Sequence, residues 1–381
     1  MKDLARRIPE LDGIRGLAVL AVMIDHMGGN SGLPGDGSIQ EAYLLVARHL
    51  GGCGVSLFFV LSGYLITRIL YQSRSDVEYF CTFYTRRAFR ILPVALTAII
   101  GWFWVAAPLL RHFHLAATFG HGVDPGLDIG WQHQIWYFLF LQNMPWVAVP
   151  AALVPLWSLA VEEQFYLLWP LVVRFFSHRL PSICFGVVGF AILARAFLFA
   201  GSLAGAGVSS HFTISWVDEL AIGGLLGYCT MNRISTFPFR AAAIFSSFCM
   251  VAILLAIDTD PEIGTLLLAA LGGTALGCIF AGLISLAISR DSNFSFFLRN
   301  QFLRSMGKYS YALYVFHYPI NLVVRQTLRG RLSFWPMMIA ELTIGLALSY
   351  AIARLSWALV ESPMLALRDR IGNVKVATAA A

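Results

Sequence analysis

FYTRRAFRILP, residues 83–93, lies between two long apolar stretches in a chain otherwise poor in charge. A basic cluster in that setting marks the cytoplasmic face of a membrane. Arg86, Arg87 and Arg90 also present rigid forks of donors that suit phosphate oxygens. The segment therefore fixes where the chain re-enters a bilayer and points to an anion held at that face.

Composition agrees. Hydrophobic residues make up 58% of the 381 positions and charged residues 13%, with a mean hydropathy of +0.71. Soluble domains carry roughly 25% charged residues. No water-soluble fold hides this much apolar sequence, so the fold class is all-α, a polytopic integral membrane protein. Ten spans are placed at about 11–28, 52–71, 92–110, 157–176, 183–201, 214–231, 241–257, 264–289, 307–326 and 335–359, each near the ~20 residues a bilayer needs. They form a single transmembrane domain, residues 1–366, followed by a disordered cytoplasmic tail, 367–381. The start, MKDLARR before an apolar run, mimics a signal peptide. Asp12 and Arg15 interrupt that run and no small-residue cleavage site follows, so the first span is expected to remain.

The net charge of +6 reflects topology, not nucleic acid. With both termini cytoplasmic, the outer segments hold only Arg48, Arg111, Arg325, Arg329 and Arg331 against a much longer inner set, and the outer loop DTDPEI (258–263) is acidic. The group Arg325, Arg329 and Arg331 is the exception. Either it binds an anion outside, or the ninth span ends later than placed. Residues 111–156 read as loop (HFHLAATFGHGVDPGLDIG) and then aromatic, semi-apolar sequence (WQHQIWYFLFLQNMPW). A full span there would put the basic groups around Arg174 and Arg304 outside, so a re-entrant or interfacial outer segment is expected, covered by protein or lining a wet cavity. The six cysteines show no CxxC or Cys/His spacing, and neither a disulfide framework nor a metal is expected.

Several spans carry groups that lipid does not tolerate. Arg15 and His26 are eleven residues apart, three turns and about 20°, on one helix face and about 16 Å apart along the axis. Asp12 lies one turn before Arg15, and Asp25 sits beside His26 near the outer end. His26 can serve as a general base; it can equally be an interfacial helix-end residue, with Asp12–Arg15 a local pair. Arg86 and Arg90 share a helix face by their i,i+4 spacing while Arg87 points aside. The triplet suits a diphosphate or ribose phosphate, and suits equally a plain positive-inside anchor. In GGCGVSLFFVLSGYLITRIL (51–70), Ser62-Gly63-Tyr64 interrupts the second span. Small residues there permit close helix approach, and Ser62 lacks the context of a nucleophile elbow. WSLAVEEQFYLLWP (157–170) places Glu162 and Glu163 at a membrane entrance, of which one faces any cavity. Trp157 fits a cavity wall or an aromatic belt. His317 lies inside the ninth span, as a packing residue or part of the cavity, and Glu341 and Glu361 either face that cavity or pair with arginines such as Arg354.

Taken together, PELDGIRGLAVLAVMIDH (9–26), GVSLFFVLSGYLI (54–66), FYTRRAFRILP (83–93), PLWSLAVEEQFYLLWP (155–170), YSYALYVFHYPI (309–320) and VESP (360–363) resemble the membrane-bound acyltransferase 3 family in order and over nearly the whole chain. Arg15 and His26 match its Arg-x10-His element, and Arg86, Arg87 and Arg90 its RRxxR element. The resemblance implies a bacterial inner-membrane enzyme. It would move an acyl group, usually acetyl, from cytosolic acyl-CoA to a hydroxyl of an extracytoplasmic carbohydrate or glycoconjugate. Acyl-CoA is a co-substrate, and no permanently bound cofactor is implied. His26 would take the hydroxyl proton with Asp25 orienting it. Arg15 would stabilise the thioester oxygen or hold the pantetheine arm, and the three clustered arginines would bind CoA phosphates. Asp12, Ser62, Tyr64, Trp157, Glu162, Glu163 and His317 are the expected substrate or cavity residues. Some members carry an appended hydrolase-like domain; without one, transfer is completed here or handed to a partner. The competing class is a secondary transporter for a small anion or glycolipid, although no inverted repeat with paired broken helices is visible. A non-catalytic scaffold leaves Arg15 and His26 unexplained.

Overall fold

The computed structural model describes residues 8–29, 38–113, 129–201, 211–289, 293–328 and 330–379. Its helices are α1 (Pro9–Ile24), α2 (Ser38–Ser73), α3 (Tyr79–Ile100), α4 (Ala107–His112), α5 (Trp131–Phe138), α6 (Leu156–Phe176), α7 (Leu180–Gly201), α8 (Val217–Met231), α9 (Phe237–Thr259), α10 (Pro261–Ile288), α11 (Asn293–Leu298), α12 (Gln301–Lys308), α13 (Ser310–Leu328), α14 (Phe334–Ser356) and α15 (Ser362–Ala379). No strand occurs among the described residues. Ten helices, α1, α2, α3, α6, α7, α8, α9, α10, α13 and α14, fall where the hydropathy pattern places ten spans, and the chain is a multi-pass membrane protein.

Six stretches are long and apolar enough to cross a membrane, and one of them, 156–199, contains both α6 and α7. The three spans left out are α1, α8 and α13, of 16, 15 and 19 residues. Polarity sets α1 and α13 apart and α8 is also too short: the three carry Asp12 and Arg15, His317 and Arg325, and Asp218 and Glu219 respectively. These helices form the interior. Asp218, Glu219 and His317 are all 0% exposed. By contrast α9, whose described residues bury only Ser246 and Ile253, faces outward. Apolar helices thus shield the polar ones from lipid, which is where ionisable groups in a bilayer must lie.

Close approach holds the interior together. Gly63 on α2 packs on the backbone oxygen of Leu220, and Gly223 on α8 packs on that of Val60, with no room for a Cβ at either. Backbones this close gain the packing that drives helix association in lipid. Pro170 interrupts the α6 ladder. Tyr84 and Tyr79 of α3 donate to the oxygens of Leu167 and Pro170 at 2.8 and 2.9 Å.

Of residues 111–156, those described contain no spanning helix. The eight-residue α5 is followed by turns and a short 3-10 helix, Ala151–Leu153. Tyr137 is fully buried with its ring 5.2 Å from that of Phe103, and Gln142 donates to the oxygen of Leu156 at 2.7 Å. Protein covers this irregular backbone in part, at Tyr137 and Gln142, while Leu139, Trp146 and Val149 are exposed. At the other end of the chain, α15 covers 367–379, which the sequence reading leaves as a disordered tail.

Candidate active site

The site is built along α1. Arg15 stands near the start of this helix and His26 just past its end, in a π-helical turn, Asp25–Gly29. We refer to the two ends of the bundle by these residues. At the Arg15 end, Arg15, Arg87 and Arg90 line one cavity, together with Ser62, Glu162 and Tyr166. Asp12 anchors Arg15 at 3.4 Å, as their spacing predicts. Arg87 lies over the Tyr166 ring, 5.0 Å from its centroid. Ser62 donates to Glu162 at 2.6 Å and lies 3.0 Å from the Tyr166 hydroxyl. Three guanidinium groups and one carboxylate line the cavity, with Asp12 paired to Arg15 and Glu361 within electrostatic reach of Arg90, and the forks of Arg87 and Arg90 at the wall suit the oxygens of an anion.

The arginine triplet divides differently from its expected arrangement. Arg87 and Arg90 face the cavity, whereas Arg86 is exposed and does not line it. Both pairs lie close on a helical wheel, and the packing of α3 against α6 and α13 selects Arg87 with Arg90. Tyr311 of α13 fixes this rotation by donating to the oxygen of Ile91 at 2.8 Å.

Toward the His26 end the cavity wall continues through Phe58, Phe59, Ser158 and Tyr314. Ser158 and Tyr314 hydroxyls are 2.6 Å apart, and the Tyr314 ring lies 5.8 Å from that of His317. His317 in turn contacts His26, Nε2 to Nδ1, at 2.7 Å. Tyr314 is therefore the step between the arginine cavity and the two histidines. The π-turn leaves the His26 carbonyl outside the regular ladder, where Asn321 and Arg325 donate to it at 2.6 and 2.8 Å. Arg325 is paired with Glu341 at 3.2 Å.

This accounts for the outer basic exception. α13 runs on to Leu328, so Arg325 belongs to the span and clamps His26. Arg331 is exposed, and Arg329 lies outside the described residues. Glu341 pairs with Arg325, and Glu361 lies within electrostatic reach of Arg90; neither takes Arg354. Asp25 is not the group that orients His26 through a hydrogen bond. Its Oδ2 stands 3.8 Å from His26 Nε2, and the Nδ1 side is taken by His317.

Other expected cavity residues part company. Tyr64 faces away from Ser62, two positions along the helix, and accepts from Arg68 at 3.0 Å. Glu163 does not line the cavity, as adjacent acids on a helix predict for one of the two. Trp157 sits one residue before Ser158 in an aromatic cluster, 5.0 Å from Trp216 and 4.9 Å from His211. Asn321 is a site residue that sequence reasoning passes over; an amide inside an apolar run was its only signal.

A second polar cluster also escaped the sequence reading. Arg195 of α7 grips Asp218 of α8 through both terminal nitrogens at 2.9 Å. Thr274 joins them, and neighbouring Glu219 accepts from Ser56 at 2.8 Å. Among the described residues, no group of three or more His, Cys, Asp or Glu side chains could hold a metal ion.

Comparison with known proteins bears on this arrangement. YrhL of Bacillus subtilis, named provisionally as a peptidoglycan O-acetyltransferase, is 29% identical over 379 residues, covering 94% of this chain and 55% of YrhL. The peptidoglycan O-acetyltransferase OatA of Listeria monocytogenes is 29% identical, with 94% and 56% covered. The O-acetyltransferase OatA of Staphylococcus aureus is 28% identical, with 94% and 57% covered. The chain thus spans about half the length of the curated relatives it matches. No solved structure matches it. The family model described as the acyltransferase domain of acyltransferase 3 matches residues 8–354. That range takes in the arginine cavity, both histidines and nearly all of the ten spans, and the chain belongs to the acyltransferase 3 family.

Proposed function

We propose that this protein is a membrane O-acyltransferase that moves an acetyl group from acyl-CoA to a hydroxyl of an extracytoplasmic carbohydrate. Peptidoglycan is the first acceptor to try, because relatives bear that name. The protein sits in a bacterial inner membrane with both termini cytoplasmic, which puts the Arg15 end in the cytosol and the His26 end outside. The observation that carries this reading is the pairing of a triple-arginine cavity with a hydrogen-bonded histidine at the other end of the same helix.

Arg87 and Arg90 hold the phosphates of the donor by charge-assisted hydrogen bonds. Arg15 shares their cavity, about 16 Å from His26 along the helix, so it serves the donor and not the reacting carbonyl. The pantetheine arm spans the interval past Tyr314. At the His26 end the acceptor hydroxyl oxygen forms a bond to the thioester carbonyl carbon while its proton passes to His26. The carbon–sulfur bond then breaks, and the thiolate recovers that proton from the imidazolium. Asp25 balances the transient positive charge.

The test is transfer of radiolabelled acetyl from acetyl-CoA into envelope glycans by membranes containing the full chain or its His26→Ala variant. Label appearing only with the parent chain supports the reading. Equal label in both removes His26 from the chemistry. No label in either, with intact acetyl-CoA and available acceptor, overturns the donor assignment.

A further inference from the structure

The contacts of His317 reach beyond burial. Its Nδ1 lies 2.8 Å from the oxygen of Tyr314 and 3.1 Å from that of Leu313. Carbonyl oxygens only accept, so this nitrogen carries a proton. In a neutral imidazole the other nitrogen is then bare, and His317 Nε2 is the atom that meets His26 Nδ1 at 2.7 Å. His26 must therefore donate from Nδ1, and in its neutral form, the form a general base needs, its Nε2 is then bare. The alternative requires a cationic His317. That ring is 0% exposed, and among the described residues no carboxylate forms an ion pair with it.

We infer that His317 is a positioning residue that fixes the tautomer of His26, presenting Nε2 of His26 as the proton acceptor. This rests on the transferase reading above and adds the atom that does the work. The rings lie edge to edge and nearly coplanar, centroids 5.0 Å apart and 17° from parallel, so the hydrogen bond also sets the plane of His26. Tyr318 closes one side edge-on at 4.9 Å. His317, Asn321 and Arg325 recur every four residues and share one face of α13. The first addresses the His26 ring and the other two its carbonyl. A single helix face thus holds both the ring and the backbone. Nε2 is left with Asp25 beside it at 3.8 Å, beyond hydrogen-bond length. The division of labour is that of any general base whose far nitrogen is held by a second group.

The test uses the full chain in lipid with 15N-labelled histidine. The His26 signals are those missing from the His26→Ala variant. The expected parent spectrum shows a protonated Nδ1 and a bare Nε2. His317→Leu removes the acceptor. It should convert His26 to the opposite tautomer, lower kcat for acetyl transfer ~100-fold or more, and leave KM for acetyl-CoA within ~3-fold. His317→Gln, whose amide oxygen can stand near the lost Nε2, should recover at least ~10-fold of that loss. A residue that only packs would alter kcat without changing the tautomer. A protonated Nε2 in the parent chain overturns the inference, whether or not the leucine variant folds. So does a leucine variant that keeps both tautomer and kcat. Absence of transfer by the parent, or full activity of His26→Ala, defeats the transferase reading instead, with the parent spectrum still deciding the tautomer.

Discussion

Ser62 of α2 donates its hydroxyl proton to Glu162 of α6 at 2.6 Å, inside the cavity that Arg15, Arg87 and Arg90 also line. A hydroxyl against a carboxylate is one arrangement of an activated nucleophile. Here, however, the carboxylate is already engaged, since it also accepts from the hydroxyl of Tyr166 at 3.1 Å and faces the guanidinium of Arg87. Direct transfer to the acceptor hydroxyl gives Ser62 a structural part. Ser62→Ala should lower kcat by no more than ~10-fold, the scale of one hydrogen bond to a charged group. No acetylated serine should appear in rapid-quench mass spectrometry. A fall of four orders of magnitude, with acetyl trapped on Ser62 in the parent chain, would make the route covalent.

The three clustered arginines should separate kinetically. Arg87→Ala and Arg90→Ala each remove a donor from the cavity, and KM for acetyl-CoA should rise ~10- to 100-fold. Arg86→Ala should stay within ~2-fold, because Arg86 is exposed and outside the cavity. Arg87→Lys should recover only part of the loss, since a point charge does not reproduce the planar fork. Initial rates over a range of acetyl-CoA concentrations decide this. Equal effects at all three positions would mean that the cluster acts as a diffuse field.

The arginines also show what a sequence discloses and what it withholds. Ten spans were readable because apolar length is a local property. So was the non-spanning segment around Trp131–Phe138, through the basic groups that a further span would have placed on the wrong face. Arg15 with Asp12 was readable from spacing. Which two of Arg86, Arg87 and Arg90 turn inward was not, because either pair shares a face and the choice is made by Tyr311, more than two hundred residues away. His26 and His317 were each visible as ionisable groups in a span, but their contact joins positions 291 apart. Arg195, Asp218 and Glu219 carried the same signal and were passed over. No motif brought these residues together, only the packing of α7 on α8 and α10.

Gly51 and Gly52 offer a paired test of Asp25. A Cβ at Gly51 would meet the carboxylate, Cγ and Cβ of Asp25, so a rotation of the acid alone gives little relief. At Gly52 nothing lies within 4 Å. Gly51→Ala should displace Asp25 from His26 Nε2 and lower kcat at least ~10-fold, as small misplacements near a reacting atom do. Gly52→Ala should match the parent chain, and both should elute as folded protein in detergent. Equal activity of the two variants would remove Asp25 from the reaction.

The Arg195–Asp218 pair is a stability element, and its variants should behave unlike those of the cavity. Asp218 is 0% exposed and takes Arg195 through two bonds of 2.9 Å, plus Thr274 at 2.5 Å. Arg195 also ties α7 to α10 by donating to the oxygen of Ala270 at 3.0 Å, and to Ser215 at 2.8 Å. Removing one partner strands the other charge among helices that exclude water, at a cost of ~3–5 kcal/mol. Asp218→Ala should therefore melt well below the parent chain in detergent. The double variant Arg195→Met/Asp218→Leu should recover part of the difference, because the stranded partner is then gone and only Glu219, held by Ser56, remains. The surviving folded fraction of either should keep the parent KM for acetyl-CoA, since neither residue lines the arginine cavity. A double variant as unstable as Asp218→Ala would locate the stabilisation in the hydrogen bonds of Arg195 to Ala270 and Ser215, and not in the neutralised charge.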